Sequence, residues 1–310
     1  ELFEKLKDEC TLQIARREAK VRLIWKNGLF RPLPNGLSSA ISTNLFSWYD
    51  KINILFEPFR KKGNDPFESV ASLVKRRLGK SYLDYAVDPF VSGVYAGDPN
   101  RLVTRFALPK LYNLEHEYGS FIRGAMKRRD ILAKEKEEGI TKDVFSVKGG
   151  FEQLVKALLR RIPEEAIRLS AGDIKVEPIS VSSACDISSH NPGDDTKQQS
   201  VSEGWLITLP DSGEQIRAGH VISTVPAYAL PALLPFVDEA DMAPIASLRY
   251  APVTQIGVGL KDDSRVPLAF GGLIPSIEKE KLLGILFNSS CYNDRAPRGA
   301  ASLSFFLGGT

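Results

Sequence analysis

The sequence predicts an α+β fold in which a helical block interrupts a mixed-sheet framework. Two observations carry this. Apolar residues recur at helical spacing through the first half and at strand spacing through the second. An Asn-Gly pair between two β-prone runs marks a hairpin near the start. No internal repeat overlies this pattern.

A helical opening leads to Val21-Arg22-Leu23-Ile24-Trp25-Lys26. Asn27-Gly28 joins this run to Leu29-Phe30-Arg31-Pro32-Leu33-Pro34, and both central residues of a type I′ turn need positive φ. Alternation places Val21, Leu23 and Trp25 on one face and Arg22, Ile24 and Lys26 on the other. From Leu37 to Phe59, the apolar positions Ile41, Leu45, Trp48, Ile52, Leu55 and Phe59 step by three or four, a helical stripe. Asp65-Pro66-Phe67-Glu68 combines an N-cap, a proline at the first helical position and a capping-box glutamate. The predicted helix runs through Val70 and Val74 to Leu78 and stops at Gly79. Asp98-Pro99 is a second start of this kind, and Ser120–Glu138 reads as another helix.

The second half changes period. Phe145-Ser146-Val147-Lys148-Gly149-Gly150 leads into a helix through Leu154, Leu158 and Leu159, ending at Pro163. Strands are expected at Ile174–Val181, Trp205–Leu209, Gln215–Arg217, Val221–Val225, Val253–Leu260, Leu282–Phe287 and Ser302–Leu307. Asp211-Ser212-Gly213 supplies a turn. Ser182–Ser202 is rich in Ser, Asp, Gln and Gly and reads as a mobile surface loop.

Composition narrows the class. The 310 residues are 43% hydrophobic and 25% charged, which excludes wholesale disorder and collagen-like chains. A net charge of +3 is too close to neutral for a dedicated nucleic-acid binder. Cys10, Cys185 and Cys291 are far apart, so neither a disulfide framework nor a familiar zinc module is predicted, and a reducing compartment is expected. With only His116, His190 and His220, a multi-histidine metal site is not expected. The most apolar stretch, Val221–Val237, holds three prolines and is shorter than the ~20 residues of a spanning helix. Residues 60–129 carry +7, a basic helical block suited either to an anionic membrane surface or to plain solvation. Glu1 opens inside a helical run and Thr310 closes on an apolar strand, as expected of an internal piece of a longer chain.

Short catalytic motifs are missing: the 310 residues contain no GxSxG, HExxH, P-loop or GxGxxG. His220 precedes a predicted buried strand and is expected to be structural. Cys185 and His190 share a loop but form no recognisable catalytic pair.

Longer segments are more specific. Asp88-Pro89-Phe90-Val91-Ser92-Gly93-Val94-Tyr95-Ala96-Gly97-Asp98-Pro99 resembles a signature of the oxygen-dependent protoporphyrinogen oxidase family, within the flavin-containing amine oxidase superfamily. Tyr118–Gly124 (YGSFIRG), Phe145–Phe151 (FSVKGGF), Val221–Pro226 (VISTVP), Ala269–Ser276 (AFGGLIPS) and Leu283–Pro297 resemble further segments, in the family's order. The VISTVP type is shared with other flavin amine oxidases; the GVYAGDP and YGS segments together are the specific ones.

The resemblance implies FAD-dependent oxidation of protoporphyrinogen IX to protoporphyrin IX in haem biosynthesis, with O₂ as acceptor. Such a site needs apolar and aromatic walls and one cation rather than an acid–base pair, because the redox chemistry belongs to the cofactor. The family's glycine-rich FAD loop and its closing FAD-contacting segment would both lie outside Glu1–Thr310. The implied parts are the start of a substrate domain (1–38), a helical membrane-binding domain (39–140), a partial FAD-binding domain with the loop 182–202 (141–235), and a substrate-domain sheet (236–310). Peripheral attachment to an anionic membrane, a cytoplasmic setting and contact with the next haem-pathway enzyme are also implied.

By the resemblance, Arg22 holds a substrate propionate, Phe270 stacks on a pyrrole ring, Gly97 lines the pocket, and Val176 meets the FAD adenine. No catalytic acid or base and no metal ligand is assigned. Without the resemblance, Arg22 reads as an exposed strand arginine, Phe270 and Val176 as core, and Gly97 as a loop glycine. Coproporphyrinogen III as substrate, an amine-oxidase-like or desaturase-like flavoprotein, and a non-catalytic membrane-binding fragment stay open as alternatives.

Overall fold

The computed structural model describes residues 2–6, 8–35, 37–128, 143–180 and 202–309. Strands run, in chain order, Leu12–Ile14 (β1), Arg22–Lys26 (β2), Leu29–Pro32 (β3), Phe145–Val147 (β4), Lys175–Ser180 (β5) and Ser202–Leu209 (β6). They continue with Glu214–Ala218 (β7), Val253–Leu260 (β8), Gly271–Leu273 (β9), Leu282–Leu286 (β10) and Ala301–Gly308 (β11). The principal helices are Leu2–Lys5 (α1), Leu37–Ser42 (α2), Trp48–Leu55 (α3), Val70–Arg77 (α4), Asp88–Tyr95 (α5), Pro109–Tyr118 (α6), Phe121–Lys127 (α7), Glu152–Leu159 (α8) and Glu239–Ala246 (α9).

Packing divides the chain into Glu1–Arg160 with Ala251–Thr310, and Arg161–Tyr250. The partition at 38, 140 and 235 is what the family resemblance implies; packing places the helical block and the six-stranded sheet in one unit. In the first unit a six-stranded sheet has the order β3-β2-β9-β10-β11-β8. Its β2–β9 pairing is parallel and the others are antiparallel. The predicted hairpin is present, with Asn27 at φ 52° and Gly28 at φ 78°. Both faces of β2 are covered: Leu23 packs with Ala269, Phe287 and Leu303, and Ile24 with Leu45 and Phe46.

Three local expectations are corrected. The helical opening ends at Lys5, because Leu12–Ile14 takes a ladder partner in β4. Asp65 and Asp98 cap turns rather than helices: Phe67 N–H donates to the Asp65 carboxylate at 2.8 Å, and Asn100 N–H to that of Asp98 at 2.8 Å. The helix α4 begins later, on an N-cap at Ser69. The stripe from Ile41 to Phe59 breaks at a Ser47/Asp50 capping box, so it forms α2 and α3 rather than one helix. Leu45 is buried, but Ile41, Trp48, Ile52, Leu55 and Phe59 are exposed.

The family-like segments hold one another. Gly119, at φ 69°, ends α6, and its carbonyl accepts from Arg77 at 2.7 Å. Ser120 caps α7 and donates to Glu57 at 2.5 Å. Glu57 and Arg77 form an ion pair, and both are fully buried. Arg295 donates to the Val147 carbonyl at 2.6 Å and to Ser146 at 3.0 Å, fastening 283–297 to 145–151. The predicted helix from Ser120 is present through Lys127; its remainder lies in 129–142, outside the described residues.

The second unit contains a three-stranded antiparallel sheet, β5-β6-β7. Val221–Val225, expected as a strand, has no regular structure or strand partner among the described residues, with Ile222 91% exposed. β-Propensity alone cannot satisfy a strand's backbone; a ladder partner must. His220 is accordingly exposed rather than set beside a buried strand. The loop 182–201, with Cys185 and His190, lies outside the described residues.

Candidate functional site

The parallel pairing of β2 with β9 creates the site. It sets Arg22 opposite Gly271 and lets Phe270 N–H donate to the Val21 carbonyl at 2.8 Å. The Arg22 guanidinium carbon consequently lies 6.0 Å from the Phe270 ring centre. Both residues border a cavity of about 310 Å³, whose walls include Phe90, Leu273 and Phe306.

Glycine shapes the floor of this cavity. A Cβ on Gly93 would lie 2.5 Å from Leu273 Cδ2, so any larger residue here would have to push the Leu273 side chain aside. A Cβ on Gly271 would lie 2.4 Å from the Ile285 carbonyl oxygen, inside the β9–β10 ladder. The result is an apolar slot with Phe90, Phe270 and Phe306 in its walls and one cation, Arg22, on its lining. Such a slot can hold a planar hydrophobic ligand by area and fix its orientation through one carboxylate.

Gly97 borders a different cavity, of about 390 Å³, together with Asp88, Asp98, Ser276 and Glu280. Arg22 and Phe270 are brought together; Gly97 is not placed with them. The Gly97 backbone packs on Leu102, where a Cβ would come within 2.8 Å. Asp88 is buried and accepts from Ser276 N–H at 2.7 Å and Ser276 Oγ at 2.9 Å. Burial raises its carboxyl above the usual range, with Asp84 and Asp98 adding to the effect, although the Ser276 donors oppose it.

Val176 lies in the second unit on β5, at the edge of its sheet, with its side chain buried. One backbone edge of β5 has no strand partner within the sheet and can meet a ligand through backbone groups. A dinucleotide also needs a phosphate cradle, usually a glycine-rich turn at a helix N-terminus. No such sequence occurs in the 310 residues. The sequence thus offers no pyrophosphate cradle, and the open edge of β5 is all that the structure offers a ligand near Val176.

No nucleophile stands out at the slot. Cys291 is buried and its Sγ lies 3.4 Å from the Phe270 carbonyl oxygen; burial pushes its thiol up to about 11. His116 is exposed and stacks on Tyr112. Sequence reasoning missed Phe90, Leu273 and Phe306 as walls. Phe90 and Gly93 are one helical turn apart within the quoted DPFVSG segment, a signal that helical phase could have supplied.

The sequence profile of the flavin containing amine oxidoreductases matches residues 1–310. The mitochondrial protoporphyrinogen oxidase of Nicotiana tabacum is 30% identical over 316 residues, covering 93% of this chain and 59% of that protein. Human protoporphyrinogen oxidase is 28% identical over 317 residues, covering 94% of this chain and 58% of its own. The chain therefore spans under two thirds of the length of these relatives. In fold it resembles a structure from Exiguobacterium sp. 255-15 carrying a provisional protoporphyrinogen oxidase name, at TM-score 0.68 and 17% identity, covering 99% of this chain and 62% of the other. It also resembles reduced UDP-galactopyranose mutase at TM-score 0.61 and 15% identity, covering 100% of this chain and 60% of the other. The α+β architecture and the profile match over the whole sequence agree: the chain belongs to the flavin-containing amine oxidoreductase family.

Proposed function

We propose that the chain is the substrate-binding part of an FAD-dependent protoporphyrinogen oxidase, which converts protoporphyrinogen IX to protoporphyrin IX with O₂ as acceptor in haem biosynthesis. The observation that carries this reading is the slot where Arg22 meets Phe270. Its aromatic and aliphatic walls suit a macrocycle, and its glycine floor admits a flat one. Arg22 offers a planar fork to a propionate, and Phe270 and Phe90 offer ring faces or edges to pyrroles. These residues bind and orient the substrate and exclude water. FAD, when bound, supplies the redox chemistry. Of the residues here, the Val176 strand edge would meet its adenine. Relatives of this name support the same reading.

Peripheral membrane attachment belongs to the same proposal. The exposed Trp48, Ile52, Leu55 and Phe59 offer an apolar contact, and the basic helical block offers an electrostatic one. No helix among the described residues is long and apolar enough to cross a membrane.

Arg22→Ala in the flavin-loaded enzyme is the test. Loss of a charge-assisted carboxylate contact, about 1.5–3 kcal/mol, lowers kcat/KM by roughly ten- to a hundred-fold, mainly through KM. Arg22→Lys recovers only part, since it keeps the charge but not the fork. Unchanged kinetics in Arg22→Ala would remove the slot from the reaction.

A further inference from the structure

Arg22 borders a second cavity as well. This one is about 610 Å³, and its polar walls include Arg31, Asn35, Ser39 and Thr43. In the hairpin register Arg31 faces Ile24, while Leu33 N–H donates to the Arg22 carbonyl at 2.8 Å. Arg22 and Arg31 therefore share one face of the ribbon as diagonal neighbours, with Cα atoms about 7–8 Å apart by ladder geometry.

Neither guanidinium has a carboxylate partner among the described residues. Lys20, the third cation on this rim, is already bound to Asp143 at 3.0 Å. Arg31 Nε is buried with no acceptor at all. A buried guanidinium donor without an acceptor is costly, and Arg22, a second cation with no carboxylate partner, lines the same cavity. An anion between them partners both.

Because Arg22 borders both cavities, a ligand seated in the apolar slot with one acid arm on Arg22 brings a neighbouring arm towards the second cavity, where Arg31 lies. On the tetrapyrrole reading given above, on which this inference rests, those arms are carboxylates on short tethers from neighbouring rings. We propose that Arg31 is a second carboxylate-binding residue: Arg22 and Arg31 together hold two neighbouring acid arms of the substrate, selecting tetrapyrroles with at least two adjacent carboxylates.

Protoporphyrin IX, its monomethyl ester and its dimethyl ester separate the two arginines by titration of the chain's tryptophan fluorescence. The unmodified chain should bind the diacid about tenfold more tightly than the monoester, and the monoester more tightly than the diester. Arg31→Gln should abolish the first step and keep the second; Arg31→Lys should restore part of the first. Persistence of the full diacid preference in Arg31→Gln would overturn the inference and leave the tetrapyrrole reading standing. No binding of any of the three by the unmodified chain would overturn both.

A readout without substitution guards against a variant that fails to fold. Phenylglyoxal modification of Arg31, followed by peptide mapping, should be slowed by protoporphyrin IX and not by its dimethyl ester; equal rates would refute the assignment. Vesicles of phosphatidylcholine with phosphatidylglycerol distinguish a lipid phosphate as the anion. If Arg31→Gln weakened vesicle binding while leaving the diacid preference intact, the cavity would belong to the lipid headgroup and the inference would fail.

Discussion

Glu57→Gln tests what the YGS segment does. Glu57 is fully buried and accepts from Ser120 Oγ at 2.5 Å, Phe121 N–H at 3.0 Å and Ile122 N–H at 3.2 Å, besides pairing with Arg77. Burial alone would raise its carboxyl, but the Ser120 hydroxyl, the two N–H groups and Arg77 outweigh that and hold it below the ordinary range. Arg77 is equally buried, donates to the carbonyls of Arg60 and Gly119 at 2.7 Å each, and has Glu115 3.6 Å from its Nε. Removing one partner of a buried pair costs about 3–5 kcal/mol, since the other charge is stranded. Glutamine keeps an acceptor oxygen, which places this substitution near ~3 kcal/mol, or roughly 6–12 °C in Tm for a unit of this size. The double variant Glu57→Leu/Arg77→Met should lose less than the two single losses combined, because no charge is left stranded.

The pH dependence has a fixed sign. A carboxylate with a lowered folded pKa contributes fully above its unfolded value of about 4.3, and that contribution disappears as pH falls through the folded value. Urea unfolding of both proteins between pH 7 and pH 3 should therefore show a constant difference down to about pH 5 that then shrinks. A difference under ~1 kcal/mol at pH 7, or one that ignores pH, would refute the claim that this pair fastens α4 to the YGS segment.

Other consequences are as direct. Gly271→Ala forces a Cβ onto the Ile285 carbonyl, so it should cost about 1–3 kcal/mol or more and disturb ligand binding in the slot; near-native stability by denaturant titration would contradict the close approach. Liposome flotation of the chain should require anionic lipid and fall with salt, and Trp48→Ser with Phe59→Ser should weaken it at all salt concentrations; flotation indifferent to lipid charge would dismiss the basic block. With no phosphate cradle in its 310 residues, the chain alone should lose FAD on gel filtration, and stoichiometric retention would show that the Val176 edge suffices.

What was legible in the sequence is what backbone sterics and short-range hydrogen bonds decide. Asn27-Gly28 imposes its turn wherever the chain goes, because the two positive φ values are local. Ser120 caps α7 and Gly119 ends α6 for similarly local reasons. The α+β class and the order of the family-like segments were readable too; Arg22, Phe270, Gly97 and Val176 came only as what the family resemblance implies, and that Arg22 lies beside Phe270 is tertiary. Tertiary structure decided which faces meet what. Periodicity found the Ile41–Phe59 stripe, but only packing showed that Leu45 turns inward while the rest faces outward. Val221–Val225 has the composition of a strand without a ladder partner among the described residues, and propensity cannot supply one. The decisive contacts join positions far apart in sequence: Arg22 with Gly271, Glu57 with Arg77 and Ser120, Asp88 with Ser276. Each requires closing a long loop, so its stability depends on the whole assembled core rather than on any window of sequence.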